Sequence, residues 1–279
     1  MIKIGFLGPK GTFSHEALLI YAERKAYTAH DYSSIQELLQ AVQNHEIDEA
    51  IAPIENSIEG AVNATLDILA ADVELLIRSE LVIPVRENLL VKKGTTIGDI
   101  KHVLSHPQPL GQCRGFLSRR FPNVQVSATY STAGAAEEVA RGEGDSAAIG
   151  SLAAAEVYGL EAIEKDIHDC ENNYTRFVVM GHTDGQKTGD DRTSIVFSTE
   201  DKPGSLYRVL DIFNLWDINM SKIESRPAKN QLGRYIFFVD INGHREDADI
   251  KDALTMIRRK ASFFKFLGSY PVFRTGNGN

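Results

Sequence analysis

Apolar residues along this chain repeat with two periods that take turns. Ile2 to Leu7 is a short apolar run, the pattern of a buried strand, and Gly8-Pro9-Lys10-Gly11 interrupts it. From about Ser14 the period becomes helical, with Ala17, Leu18 and Tyr21 on one face. Tyr32-Ser33-Ser34 then leads into an amphipathic helix over Ile35–Val42, and Glu49–Pro53 reads as a strand. The same order returns later: Tyr130-Ser131-Thr132, a helix through Ala135–Ala140, and a strand over Asp145–Gly150. Apolar strands separated by helices predict α/β sheets with crossover connections. The repetition suggests two similar lobes, with a ligand crevice at strand carboxyl ends and helix N-termini. Strands over Val73–Ile77 and Glu80–Val85 are expected to carry the chain to the second lobe, and Thr175–Met180 to bring it back.

Beyond that strand the periodicity stops. Gly181 to Asp191 is eleven residues with three glycines and almost no apolar side chain, which reads as a linker. A βαββαβ pattern follows. It comprises a strand over Thr193–Ser198, the turn Lys202-Pro203-Gly204, and a helix over Leu206–Asn214. Strands near Asn219–Ser225 and Arg234–Ile241, a helix over Ala248–Arg259 and a strand near Phe266–Tyr270 complete it. Such a split βαβ unit stacks two helices on one face of an antiparallel sheet. The expected organisation is a two-lobed α/β region over 1–182 (lobe one about 1–77 and 166–182, lobe two about 78–165), a linker over 183–191, and an α+β module over 192–279. Gly276 to Asn279 is expected to fray.

The length of 279 residues fits this two-part organisation. A net charge of −8 argues against nucleic acid as a partner, because phosphate neutralisation needs a basic surface. It leaves room for an anionic small molecule, which needs only a local positive potential. Cys113 and Cys170 have neither metal-type nor disulfide-framework spacing. The first residues are too glycine-rich for a signal peptide, and the longest small-apolar stretch, Ala147–Ala155, is too short for a span. A reduced, soluble, cytoplasmic protein is expected.

Four segments could carry chemistry. Gly8-Pro-Lys-Gly-Thr12-Phe-Ser14 lies between a strand and a helix and is either an anion cradle or a plain turn. Pro53-Ile-Glu55-Asn56-Ser57-Ile-Glu59-Gly60 delivers hydrogen-bonding side chains to one rim, or caps a helix with Asn56 or Ser57. Ser105-His106-Pro107-Gln108-Pro109-Leu-Gly-Gln112-Cys113 opens a helix on proline; Ser105 is the expected cap and Gln112 faces the same crevice. His106 there is a base or merely satisfies backbone groups, and Cys113 packs inside. Asn172-Asn173-Tyr174-Thr175-Arg176-Phe177 is a turn into the return strand, or it puts a hydroxyl, an amide and a guanidinium into the crevice.

Taken in order, GPKGTFS at 8–14, PIENSIEG at 53–60, SHPQPLGQC at 105–113 and NYTRF at 173–177 resemble the prephenate dehydratase family, over nearly the whole chain. The terminal module resembles an ACT domain, and Glu224-Ser225-Arg226-Pro227 is similar to that family's phenylalanine-binding motif. The resemblance implies a catalytic region like a type 2 periplasmic binding protein, without the chorismate mutase region of some relatives, followed by a regulatory ACT domain. It implies conversion of prephenate to phenylpyruvate, water and carbon dioxide on the route to phenylalanine, with no cofactor and no metal. The matching catalytic residues are Thr175, Glu55, Asn56, Ser105, Gln112, Arg176 and Phe177. Thr12, Ser14 and Asn173 are expected to bind substrate. Gly204, Ser205, Leu206 and Glu224 to Pro227 are expected to bind L-phenylalanine as an inhibitor. One departure stands out: the family commonly reads Gly-Ala-Leu-Val where this chain has Gly204-Ser205-Leu206-Tyr207.

In that reading Thr175 is an oriented donor to the leaving hydroxyl, and a buried, protonated Glu55 replenishes its proton. Arg176 binds the pyruvyl carboxylate or orients the loop, and helix N-termini at Ser14 and Asn56 hold the other anion. A homodimer or homotetramer is expected, with no nucleic acid or membrane partner. Cutting after Asp190 is expected to leave an active fragment deaf to phenylalanine, provided it stays folded. Arogenate dehydratase and a non-catalytic amino-acid sensor are the competing readings.

Overall fold

The computed structural model describes residues 1–228 and 234–273, so the terminal Gly276–Asn279 stretch lies outside the described residues. Strand β1 (Ile2–Leu7) turns at Gly8–Gly11 into α1 (Phe13–Ala22), and β2 (Tyr27–Tyr32) returns parallel to β1. Helix α2 (Ile35–Gln43) buries Leu38, Leu39, Ala41 and Val42, the face its periodicity marked. Then come β3 (Glu49–Asn56), β4 (Gly60–Ala61), α3 (Asn63–Ala71) and β5 (Leu76–Pro84). The middle of the chain comprises β6 (Asn88–Val91), β7 (His102–Ser105), α4 (Pro107–Gln112), α5 (Arg114–Arg120) and β8 (Gln125–Ala128). It continues with α6 (Thr132–Arg141), β9 (Ser146–Gly150), α7 (Leu152–Tyr158) and β10 (Glu161–Glu164). Strand β11 (Tyr174–Gly181) precedes β12 (Asp191–Ser198), α8 (Ser205–Leu215), β13 (Met220–Pro227), β14 (Tyr235–Asn242), α9 (Ala248–Lys260) and β15 (Phe263–Pro271).

Among the described residues the strands form three sheets, ordered β2-β1-β3-β11-β5 with β4 on β3, β10-β6-β9-β7-β8, and β13-β14-β12-β15. The chain divides into two compact units. One is residues 1–38, 55–60 and 83–175; the other is residues 39–54, 61–82 and 176–279.

In the first unit the middle sheet is covered on both faces, as the mixed α/β pattern requires. Leu89, Val91, Val103 and Ile149 pack with Cys113, Leu117 and Phe121. The alternate positions Leu90, Leu104 and Ala148 pack with the alanine face of α6 and with α7. Ser131 and Ser151 start these two helices by accepting from the amides of Gly134 and Ala154.

In the second unit the expected βαββαβ module is present, its boundaries within two or three residues of those read from the sequence. Ile195, Phe197, Val239 and Ile241 meet Val209, Ile212, Phe213, Ile250 and Ile257 of the two helices. The pairings β12–β14, β12–β15 and β13–β14 are all antiparallel. Where β15 bulges opposite Ser194 and Ile195, Gly268 adopts φ +140°, and a Cβ there would lie 2.2 Å from the carbonyl oxygen of Ile77.

Two expectations change. Val73–Ile77 and Glu80–Val85 are not two strands: β5 runs unbroken through Arg78 and Glu80. Those charges break the apolar pattern but not the strand, because each has a partner, Arg78 pairing with buried Glu49 at 2.6 Å. Residues 182–190 do lack helix and strand, but they are pinned. Gly185 donates to Ser269 O at 2.8 Å, and Asp191 accepts from the amides of Thr188 and Gly189. Among the described residues no helix is long and apolar enough to cross a membrane.

Candidate active site

Asn56 ends β3 and opens a tight turn. Its Oδ1 accepts from the amides of Ile58 and Glu59 at 2.9 and 3.0 Å, so it caps a turn into β4 and not the helix N-terminus expected. Those two bonds settle which end of the side-chain amide is oxygen. Nδ2 must therefore be the donor, and it points to Asn173 Oδ1 at 2.9 Å, Tyr174 O at 3.2 Å and Thr175 Oγ1 at 3.0 Å. Asn173 passes the chain on, its Nδ2 donating to Gln112 Oε1 at 2.9 Å. Ser57 braces the same strand end, giving its hydroxyl to Asn172 O and receiving Tyr174 N–H.

The consequence for Thr175 is directional. A hydroxyl has one proton to give, and here its oxygen is already accepting from a locked amide. The proton is left to point elsewhere. Thr175, Asn56 and Asn173 are all buried, so this geometry is held without competing solvent.

Alternation along the strands separates their neighbours from this group. Glu55 projects from the opposite face of β3 to Asn56 and is half-buried. Arg176 projects oppositely to Thr175. Its guanidinium lies 2.9 Å from Asp240 Oδ2 and 3.3 Å from Glu80 Oε2, and Glu80 also takes Arg192 at 2.5 Å. Phe177 is fully packed. The structure thus assembles Thr175, Asn56, Asn173 and Gln112, and engages Arg176 with acidic side chains.

The glycine-rich turn is built, not loose. Thr12 caps α1, accepting from His15 N–H, and its hydroxyl lies 3.2 and 3.0 Å from the Leu7 and Pro9 carbonyl oxygens, one of which takes its single proton. Gly11, at φ +89°, would bring a Cβ 3.0 Å from Ala154 Cα, and its carbonyl accepts from Ser151 Oγ at 2.8 Å. Ser14 is buried in the first turn of α1. His15 Nδ1 accepts from Gly11 N–H, and burial, then Lys10, hold the imidazole below its ordinary pKa. Ser105 is not the cap of α4: its hydroxyl donates to Ile149 O at 2.7 Å, while His106 takes the cap by accepting from Gln108 N–H. A strand residue facing inward has its neighbour's carbonyl nearer than any helix amide.

One acid escaped the sequence reading. Glu87 is 1% exposed, its Oε2 has no hydrogen-bond partner among the described residues, and burial followed by the charge of Glu16 pushes its pKa up to about 8. Burial raises Glu16 as well. Arg86-Glu87-Asn88 reads as a polar turn in the sequence; the available signal was its position between the apolar runs of β5 and β6. Burial, then the charges of Glu87 and Asp169, also raise the Cys113 thiol, which keeps it inert.

In the second unit, Gly204, Ser205 and Leu206 line a cavity of 360 Å³ together with Lys202, Tyr207, Tyr235 and Phe237. Gly204 holds φ +78° at the start of α8, a conformation that suits glycine. Glu224 to Pro227 lie on the neighbouring strand, Ser225 opposite Phe237 and Pro227 opposite Tyr235. Arg226 turns to α3, where its Nε meets Asp67 Oδ1 at 2.8 Å and its NH1 meets Asn63 Oδ1.

An α/β scaffold presenting an oriented hydroxyl, followed by a βαββαβ module with a ligand-sized cavity at its first turn, describes a small-molecule enzyme with an appended sensor. The sequence profile of the prephenate dehydratase family matches residues 4–185 and that of the ACT domain residues 193–255, and the chain belongs to the prephenate dehydratase family. The bifunctional chorismate mutase/prephenate dehydratase of Aquifex aeolicus is 41% identical over 97% of this chain and 74% of its own. The prephenate dehydratase of Mycobacterium bovis is 37% identical over 98% of this chain and 88% of its own. The crystal structure of a prephenate dehydratase from Arthrobacter aurescens in complex with L-Phe superposes with a TM-score of 0.89 at 35% identity, covering 97% of this chain and 90% of that one.

Proposed function

We propose that the Thr175 group performs the family's reaction: decarboxylating dehydration of prephenate to phenylpyruvate, water and carbon dioxide. The carrying observation is the hydroxyl of Thr175 accepting from an amide whose orientation is locked. The reaction needs little more. As the ring–carboxylate bond breaks, its electron pair enters the ring, and the ring–oxygen bond opens to make the product aromatic. The departing oxygen then needs a proton or a strong hydrogen bond, which Thr175 is set to give. Asn56, Asn173 and Gln112 hold it in place, and Thr12 and Ser14 at the start of α1 are the substrate-anion candidates. Glu55, on the far face of β3, is not needed for this step, and Arg176 serves to hold β11.

The catalytic region is taken as residues 1–182, with lobes over 1–77 plus 166–182 and over 78–165, and the ACT domain as 192–279 after a connection over 183–191. L-Phenylalanine is the inhibitor, seated at the cavity of Gly204, Ser205 and Leu206, whose side includes the helix-start amides that suit a carboxylate. Tyr207 lines the same cavity. The protein is assigned to the cytoplasm, as a homodimer or homotetramer joined through ACT edges. Purified protein assayed on prephenate and on arogenate tests the reading. Formation of ultraviolet-absorbing phenylpyruvate is expected; turnover of arogenate alone, or of neither, would overturn it.

A further inference from the structure

Two arginine contacts in the second unit lead along the chain to the Asn56–Thr175 pair, one through the peptide bond from Arg176 to Thr175 and the other through α3 and Pro53. On β14, Asp240 holds Arg176, the residue peptide-bonded to Thr175, at 2.9 Å. Asp240 is itself fixed, its Oδ1 accepting from Ser194 Oγ at 2.6 Å, and Ser194 lies 2.7 Å from the Tyr270 hydroxyl. On β13, Arg226 holds Asp67 and Asn63, which are one turn apart on α3. That helix is tied back to β3, Thr65 Oγ1 donating at 2.6 Å to the carbonyl of Pro53, three residues before Asn56.

The other ends of these contacts lie beside the effector cavity. Tyr235 and Phe237 of its wall are on β14 with Asp240, and Arg226 pairs across to Ile236 between them. A ligand that shifts this strand pair moves both arginine contacts together. We propose that Asp67 and Asp240 are positioning residues that set the Asn56–Thr175 hydrogen bond from the ACT sheet, through Arg226 and Arg176, and so transmit the effector. This rests on the reading that prephenate is the substrate and L-phenylalanine the inhibitor. Neither aspartate is part of the Thr175 group or of the cavity wall. At Arg226 charge and hydrogen-bond direction together specify the geometry, and at Arg176 the buried opposite charges do, so a small strand shift is not absorbed.

Asp67→Asn and Asp240→Asn keep shape and remove charge. In each, L-phenylalanine measured by calorimetry should bind within about threefold of wild type. The activity surviving at saturating L-phenylalanine should rise by roughly fivefold or more, the lower end of usual coupling factors. By linkage, the factor by which prephenate weakens L-phenylalanine binding should shrink as much as the factor by which L-phenylalanine weakens prephenate binding. A purely structural role would lower the melting temperature and leave that residual fraction unchanged; this result in both variants overturns the proposal. Hydrogen exchange on the wild type needs no variant. L-Phenylalanine should alter exchange at the amides of Ile58 and Glu59 and around Thr175, and unchanged exchange there also overturns it. A wild type that L-phenylalanine does not inhibit would instead defeat the functional reading.

Discussion

A hydroxyl is a weak acid, so Thr175 depends on where its proton points and on a surrounding that does not compete for it. Removing the hydroxyl should therefore act on the transition state. Thr175→Ala is expected to lower kcat by about 10²–10³, the usual effect of deleting one oriented donor, with KM changed less than about threefold. Thr175→Ser should keep more activity, since the oxygen stays within reach of Asn56. Steady-state kinetics on prephenate decide it, and an alanine variant within a few-fold of wild type would remove the role. Glu87 gives a second prediction with a definite sign. Folded, it keeps its proton up to about pH 8, whereas an ordinary glutamate carboxyl loses it near 4.5. The folded protein thus binds more protons than the unfolded chain inside that window. The stability contributed is complete below about pH 4.5 and is lost as pH rises through about 8, by up to ~1.4 kcal/mol per unit. Glu87→Gln should then be close to neutral at pH 5 and should raise Tm by several degrees at pH 8.5. Equal Tm changes at both pH values would show that Glu87 carries no such proton.

At the scale of elements, the periodic segments were legible and the polar exceptions were not. Helix α2 and the two helices over the third sheet follow their apolar spacing because one face of each is buried along its whole length. Strand β5 reads as two in the sequence because Arg78 and Glu80 look like a break until their partners are known. Without their partners, Asn56 and Ser105 are equally readable as helix caps, and residues 183–191 read as a linker. The motif segments did converge in part: Asn56, Gln112, Asn173 and Thr175 are joined by hydrogen bonds, while Glu55 and Arg176 were one residue, and so one strand face, away. A local sequence pattern carries spacing; it does not carry which carbonyl or carboxylate arrives from a hundred residues away. Gly268 shows how close such an arrival can be. Gly268→Ala would combine a disfavoured positive φ with a Cβ 2.2 Å from Ile77 O, and β15 would have to move away from β5. A loss of at least about 2–3 kcal/mol is expected in chemical denaturation, and a neutral outcome would mean that this backbone contact is not maintained in solution.

On the scale of the whole molecule, the ACT module does not detach along its apparent linker. Segments 39–54 and 61–82 of the α/β region share one compact unit with 176–279. Glu80 of β5 takes Arg192 at 2.5 Å and the amide of Phe273 at 3.1 Å, Lys265 Nζ reaches Val73 O at 2.5 Å, and Arg226 reaches Asp67. Ile77 is fully buried and lies directly under Gly268. Cutting after Asp190 would strip Arg192 from Glu80, Asp240 from Arg176 and the cover from Ile77 at once. The severed charges would regain water, so the larger loss is the apolar cover of Ile77 on β5, at about 25 cal/mol per Å² exposed. The sequence alone favoured an active fragment freed from phenylalanine. The structure instead predicts that residues 1–190 lack a cooperative melt, bind hydrophobic dye and aggregate at micromolar concentration. Within the full chain, residues 39–54, 61–82 and 176–279 should open together in native-state hydrogen exchange, because no break in packing falls at the linker. A fragment that melts sharply within a few degrees of the full chain and still turns over prephenate would show that the two modules fold independently.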